Sequence, residues 1–353
     1  MSSVLITGGA GFIGLHLGRA FAGLGWEVVA LDNLSPQVHL DAVASRAKVS
    51  GHLVEGDVLD PAVWNALPPV DAVVHLAAET GVGQSMYEVE RYRSVNVDGT
   101  ARAAAFAGET GVPLVFFSSR AIYGQGRYSC DEHGTSFGEP CCDRATPAAS
   151  TEDDPAVPVS VYGETKVAGE QLLVEGAAGD APVTIVRPQN VIGPGQALHN
   201  PYTGVLAAFL ARLREGLPLQ VYGDGHQTRD FVHVSDVARL VVALVTEPPA
   251  HDGPLVVNSG VGERATLLEL ARFSIEGSPV DGVVEHVEVH RAGDIEHACA
   301  DLTRFDSLGL PRPNVSTADA VADFIRQGWD LPGAPAAAWD EALDVLASKG
   351  LIT

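Results

Sequence analysis

Residues 7–14 read Thr-Gly-Gly-Ala-Gly-Phe-Ile-Gly, and this stretch decides the fold. Just upstream, Val4–Ile6 is a short apolar run that reads as a strand. Just downstream, Phe12–Leu24 carries apolar residues at helical spacing. A glycine-rich turn between a strand and a helix is the context that a dinucleotide-binding loop requires. Gly9, Gly11 and Gly14 fit G-x-G-x-x-G, and Gly8, Gly11 and Gly14 fit the variant G-x-x-G-x-x-G. Glycine permits the tight turn and lets a pyrophosphate approach the helix N-terminus, where free N–H groups and the dipole favour anions. The next apolar run, Glu27–Leu31, ends at Asp32, eighteen residues beyond Gly14. At that spacing a carboxylate accepts hydrogen bonds from ribose hydroxyls and repels a 2′-phosphate, so NAD is expected rather than NADP.

Further along, His52–Glu55, Ala72–Leu76, Leu114–Phe117 and Val183–Arg187 read as strands, with an alanine-rich helix over Val95–Glu109. Strands alternating with helices predict an α/β fold, a doubly wound parallel Rossmann sheet. Residues 124–158 break the pattern with Gly, Pro, Cys and acidic residues and no sustained period. Long irregular segments in compact domains are functional or mobile, and this one reads as an insertion near the substrate mouth. From about Asn190 the texture changes to Gly- and Pro-punctuated pieces. The expected division is a Rossmann domain over 1–189 and a smaller, interleaved lobe mainly over 190–353, with some segments returning to the first domain.

A chain of 353 residues, 46% of them apolar, buries a full core in one or two domains. No run of eighteen apolar residues exists, so no membrane span is expected. The start, Met-Ser-Ser-Val-Leu, has no basic region before its apolar residues, so a secretory signal is not expected and a cytoplasmic location is. The formal charge of −23 repels phosphate backbones, which argues against nucleic acid as a partner. A small anion needs only a local group of Arg, Lys and backbone donors. The four cysteines are Cys130, Cys141, Cys142 and Cys299. With His133 the first three form C-x2-H-x7-C-C, but the adjacent pair is awkward for a compact tetrahedral site, so neither a metal nor a disulfide is expected.

Beyond the glycine loop, the chain carries LDNLS (31–35), GDVLD (56–60), HLAAETGVGQS (75–85), SVNVDGT (94–100), FFSSRAIYG (116–124), YGETK (162–166) and GDGHQTRDFVHVSDVA (223–238). In this order they resemble the extended short-chain dehydrogenase/reductase family, within it the nucleotide-sugar epimerases and dehydratases. HLAAETGVGQSMYEVERY and SSRAIYGQGRY are most like dTDP-L-rhamnose 4-epimerases. The resemblance implies roles. Gly8, Gly11, Phe12, Ile13 and Gly14 would hold the dinucleotide phosphates, and Asp32 and Asn33 its ribose. Asp57 and Val58 would lie against adenine. Leu76, Ala77 and Ala78 would line the cofactor channel, with Asn96 supporting the cofactor-side helix. Ser119 takes the catalytic Ser/Thr place, with Ser118 the second choice. Thr80, Asn190, Tyr222, Arg229 and Arg291 would meet a nucleotide-diphosphate sugar, the two arginines on its diphosphate. Gln189 departs from the family, which often has an aromatic residue there. The family also implies a homodimer, built by pairing the alanine-rich helix and the Tyr162 helix, with Val167, Ala168, Leu172 and Leu173, into a four-helix bundle.

Tyr162 and Lys166 lie four apart and share a helix face. A free tyrosine, with a pKa of about 10, is a poor base at neutral pH. A neighbouring ammonium and a positive nicotinamide both favour the phenolate, which then takes a sugar hydroxyl proton, with Ser119 assisting. The leading expectation is an NAD-dependent 4-epimerase passing through a transient 4-keto sugar, acting on an NDP-hexose or 6-deoxyhexose. A 4,6-dehydratase needs an Asp-Glu pair after the catalytic Ser/Thr, where this chain has Arg120 and Ala121. Decarboxylating relatives tend to keep a Glu at the Ala121 place. A 4-ketoreductase shares the same triad and stays open. A non-catalytic NAD-sensing regulator would more often have lost Tyr162 or Lys166.

Overall fold

The computed structural model describes residues 1–200, 204–288, 295–348 and 350. Its strands in chain order begin with β1 (Ser3–Thr7), β2 (Glu27–Asp32), β3 (His52–Glu55), β4 (Ala72–His75) and β5 (Leu114–Phe117). There follow β6 (Arg127–Cys130), β7 (Gly134–Phe137), β8 (Thr146–Ala148) and β9 (Val183–Pro188). Then come β10 (Asn190–Ile192), β11 (Leu219–Tyr222), β12 (Thr228–Arg229), β13 (Phe231–His233) and β14 (Leu255–Ser259).

The central sheet has seven parallel strands in the order β14-β9-β5-β4-β1-β2-β3. The chain winds outward from β1 to β3, returns, and winds the other way from β4 to β14. The topological switch point therefore falls between β1 and β4, and ligands bind outside the carboxyl ends of the strands at such a point. Val4 and Ile6 pack on one face with Leu17, Phe21 and Leu240. Leu5 packs on the other with Leu31, Val73, Ala104 and Phe116. Side chains alternate between faces, and because both faces are covered the strands read as continuous apolar runs. A third apolar cluster, around Leu206, Phe209, Leu219, Phe324 and Ile325, lies wholly beyond residue 190. β14, also from beyond residue 190, completes the main sheet against β9.

Two segments differ from the sequence reading. The alanine-rich helix starts as a π-helical stretch, Ser94–Asp98, and continues as Gly99–Thr110. Residues 124–158 are not structureless: β6 pairs antiparallel with both β7 and β8. Most side chains of β7 and β8 are at least partly exposed, so these strands have no buried face to impose a period of two on the sequence. The loop between β7 and β8 also folds Cys141 and Cys142 back onto Cys130 and His133, with all four ligand-type atoms within 4.8 Å of one another. The adjacency of Cys141 and Cys142, an argument against a compact cluster in the sequence, does not keep the four apart.

Candidate active site

A cleft of about 850 Å³ opens at the switch point. Its floor at one end is the glycine loop. Gly8 has φ +67°, and a Cβ there would meet Ala77 N at 3.0 Å. A Cβ on Gly14 would meet Gly8 O at 2.4 Å. Only glycine lets loop, helix and the segment after β4 approach this closely. The helix Phe12–Gly23 begins at Gly11 without a side-chain cap, which leaves its first N–H groups for a ligand. Asp32, at the end of β2, is buried and accepts N–H bonds from Ala10 (3.0 Å) and Leu34 (2.9 Å). These fix the carboxylate beside the loop. His39, which sequence reasoning missed, sits with Nε2 3.5 Å from Asp32. Asn33 Nδ2 donates weakly to Asp57 at 3.4 Å, and Asp57 holds its own turn by accepting Leu59 N–H at 2.9 Å. Phe12, Ile13, Val58, Leu76, Ala77 and Ala78 also line the cleft. This wall fits NAD: a glycine cradle for the pyrophosphate, uncapped helix amides and a fixed carboxylate for the ribose.

Asn96 lies behind the wall, in the π-helical stretch, and is buried. Its Oδ1 accepts Glu79 N–H at 2.8 Å, and its Nδ2 donates to Thr165 Oγ1 at 2.9 Å. It thus ties the loop after β4 to the helix Val161–Val174, and π turns recur at functional sites. That helix is capped by Ser160, whose Oγ accepts Gly163 N–H at 3.1 Å. Ser85 Oγ accepts Tyr162 N–H at 3.1 Å.

Tyr162 and Ser119 face the cleft together. Ser119 caps the short turn Arg120–Tyr123, accepting Ala121 N–H at 3.1 Å. Burial raises the Tyr162 phenol above its ordinary pKa, while a hydrogen bond from Ser119 and the charge of Arg120 pull it down. Ser118 Oγ is buried without a partner among the described residues, so the geometry favours Ser119 of the two. Lys166 is buried beneath the wall, its Nζ 5.9 Å from the Tyr162 ring centroid. Nζ donates to Phe117 O at 2.8 Å. Burial brings its pKa down to about 8, against an upward pull from Glu170.

Thr80, Asn190, Tyr222 and Arg229 also line the cleft. Asn190 N–H donates to Asp230 O at 3.0 Å, which aligns β10 beside β13. Arg229 Nη1 donates to the carbonyls of Thr228 (2.9 Å) and Glu296 (3.2 Å), which fixes the guanidinium's orientation. Gln189 is buried on the cleft wall with Oε1 unpartnered among the described residues. Arg291 lies outside the described residues. Sequence reasoning missed Gln189 as an acceptor and Arg120 as a cation facing Tyr162; the signal for Arg120 was its place immediately after Ser119.

A crevice at a switch point, with a serine and a tyrosine on its wall and a lysine buried beneath it, is of the Rossmann nucleotide-binding class. The chain belongs to the NAD dependent epimerase/dehydratase family, whose model matches residues 4–260. It is similar to a dTDP-L-rhamnose 4-epimerase of Burkholderia thailandensis, 37% identical over 85% of this chain and 87% of that protein. A dTDP-glucose 4,6-dehydratase of Streptomyces griseus is 31% identical over 94% of this chain and 97% of its own. Among solved structures, MoeE5 in complex with UDP-glucuronic acid and NAD superposes with a TM-score of 0.74 at 31% identity, covering 92% of this chain and 98% of that one.

Proposed function

We propose that this chain is an NAD-dependent nucleotide-sugar 4-epimerase acting on a thymidine- or uridine-diphosphate hexose or 6-deoxyhexose. One observation carries the reading: Ser119 and Tyr162 face the cleft with Lys166 buried behind the Tyr162 ring, while Arg120 and Ala121 occupy the places where related dehydratases carry carboxyl groups for water elimination. NAD held by the glycine loop and Asp32 would supply the hydride acceptor and donor and, oxidised, a positive charge. Tyr162 takes the C4 hydroxyl proton as the C4–H bond breaks, and gives it back when the opposite epimer forms. Ser119 holds the reacting oxygen, and the Lys166 and Arg120 charges favour the phenolate. Residues 1–189 mainly hold the dinucleotide and residues 190–353 mainly the nucleotide sugar. Asn190, Tyr222 and Arg229 bind the nucleotide side, with Arg291 as a second phosphate ligand. The enzyme works in the cytoplasm as a homodimer; among the described residues no helix is long and apolar enough to cross a membrane. Incubation with a panel of dTDP- and UDP-sugars, resolved by chromatography and NMR, is expected to give C4 epimers. A 4-keto-6-deoxy product from a 6-hydroxy sugar would make it a dehydratase instead.

A further inference from the structure

Three cysteines and a histidine converge at the tip of the β6–β8 ribbon, outside the cleft. Cys130 ends β6, and His133 lies in the turn closed by Gly134, whose φ is +78°. Cys141 and Cys142 lie in the loop that leads to β8. Cys130 Sγ is 3.6 Å from His133 Nδ1 and 3.6 Å from Cys142 Sγ. All four ligand-type atoms fall within 4.8 Å of one another. A tetrahedral zinc with Zn–S of about 2.3 Å and Zn–N of about 2.05 Å separates two sulfurs by about 3.8 Å and sulfur from nitrogen by about 3.6 Å. The two Cys130 separations lie within about 0.2 Å of those values, and the whole set is compact enough for one ion to draw together. A disulfide would need its sulfurs at about 2.05 Å, and all the cysteines are free thiols.

A second observation is independent of these distances. The ribbon has strands of four, four and three residues. Only Tyr128 and Cys130 of these strands are buried. Three short strands need a hydrophobic face or another staple to hold together. The ribbon has no such face, and the four converging side chains stand where a staple would act.

We propose that Cys130, His133, Cys141 and Cys142 form a structural zinc site that holds the ribbon together. The set is closed: four protein ligands leave no open position for a substrate, as in structural rather than catalytic zinc centres. Each thiol loses its proton to solvent as its S–Zn bond forms, histidine binds as neutral imidazole, and no oxidation state changes. Three thiolates and one Zn²⁺ leave a net charge of −1. The ribbon's base reaches the cleft: Gln125 Oε1 accepts Glu296 N–H at 2.9 Å, and Glu296 O accepts from Arg229 at 3.2 Å. Arg127 also pairs with Asp154 at 3.0 Å. The metal therefore steadies the rim of the cleft without touching substrate.

The test is elemental analysis of the full chain, produced with zinc in the medium and dialysed against metal-free buffer. About one zinc per chain is expected, with X-ray absorption fitting three sulfurs at about 2.3 Å and one nitrogen at about 2.0 Å. Cys130→Ser/Cys142→Ser should abolish retention, while Cys299→Ser keeps it. If the double variant fails to fold, chelator-stripped wild-type protein titrated with cobalt(II) should show the visible absorption of a tetrahedral thiolate complex. Less than about 0.1 zinc per chain after reconstitution with zinc chloride, an oxygen-only ligand shell, or a mapped Cys130–Cys142 disulfide would overturn the proposal.

Discussion

At the scale of single residues, the proposed chemistry depends on how Tyr162 is held against its own pKa. Burial raises the phenol, and in the protein alone the Ser119 hydrogen bond and the Arg120 charge do not offset it. Tyr162→Phe keeps the ring and removes the proton acceptor, so turnover should fall by about 10³-fold with bound NAD retained; loss of NAD alongside activity would mean the ring's role is packing. Lys166 is brought down to about 8, so its ammonium is present below that pH and lost as pH rises through it. The pH–kcat/KM profile should therefore decline above about pH 8, and Lys166→Arg, which stays charged, should remove that decline at a lower overall rate. An identical alkaline limb in the arginine variant would assign it to another group. Asp32 accepts two backbone N–H bonds and faces the glycine loop, so the wild type should bind NAD at least tenfold more tightly than NADP, roughly the worth of one charged hydrogen bond. Equal binding in a calorimetric titration would remove it as the selector. Asp32 and the Tyr–Lys pair were legible in the sequence because strand ends and i,i+4 spacing fix where such side chains point. Gln189, Arg120 and His39 were not, because their directions depend on which loops fold over them.

At the scale of elements, a buried polar network fastens the helix Val161–Val174 to its surroundings. Arg187, on β9, pairs with both oxygens of Glu170 at 3.0 and 2.7 Å. It also donates to Tyr123 OH (2.9 Å) and Glu152 O (2.9 Å), and Tyr123 OH donates to Asn258 Oδ1 on β14 (2.8 Å). The turn after Ser119, the segment after the ribbon, the helix Val161–Val174 and the sheet are thus locked together one helical turn below Lys166. Arg187→Met leaves Glu170 buried without its partner, which should cost about 3–5 kcal/mol in urea unfolding. A cost below about 1 kcal/mol would show that Glu170 is relieved by water. The sequence showed β9 as an apolar run but gave no sign of this network, whose members lie as far apart as Tyr123 and Asn258. The β6–β8 ribbon was equally hidden. Its strands bury almost no side chains, so alternation, the signal by which strands are read, was never written into it.

At the scale of the whole molecule, the formal net charge of −23 sets a condition that the proposed homodimer must meet. The two helices expected to pair are Gly99–Thr110 and Val161–Val174. Leu173 is spent inside the protomer, in the cluster with Ala103, Ala104 and Phe116, so it drops out of the expected interface. Val174 is 62% exposed, and Ala105, Val167, Ala168 and Leu172 keep at least part of their surface. That leaves a small apolar strip whose burial must outweigh repulsion between two acidic bodies. Charges separated by more than about 8 Å are largely screened at physiological ionic strength, whereas burial of apolar surface is not weakened by salt. Light scattering at micromolar concentration should therefore give twice the 36.8 kDa chain mass, with the dimer fraction rising as salt is added. Leu172→Arg should shift the protein to monomer by placing a cation in the apolar strip, and should leave NAD bound because residue 172 does not line the cleft. A wild-type monomeric mass at every salt concentration would remove the dimer, and a dimer weakened by salt would place charged pairs rather than these helices at its centre.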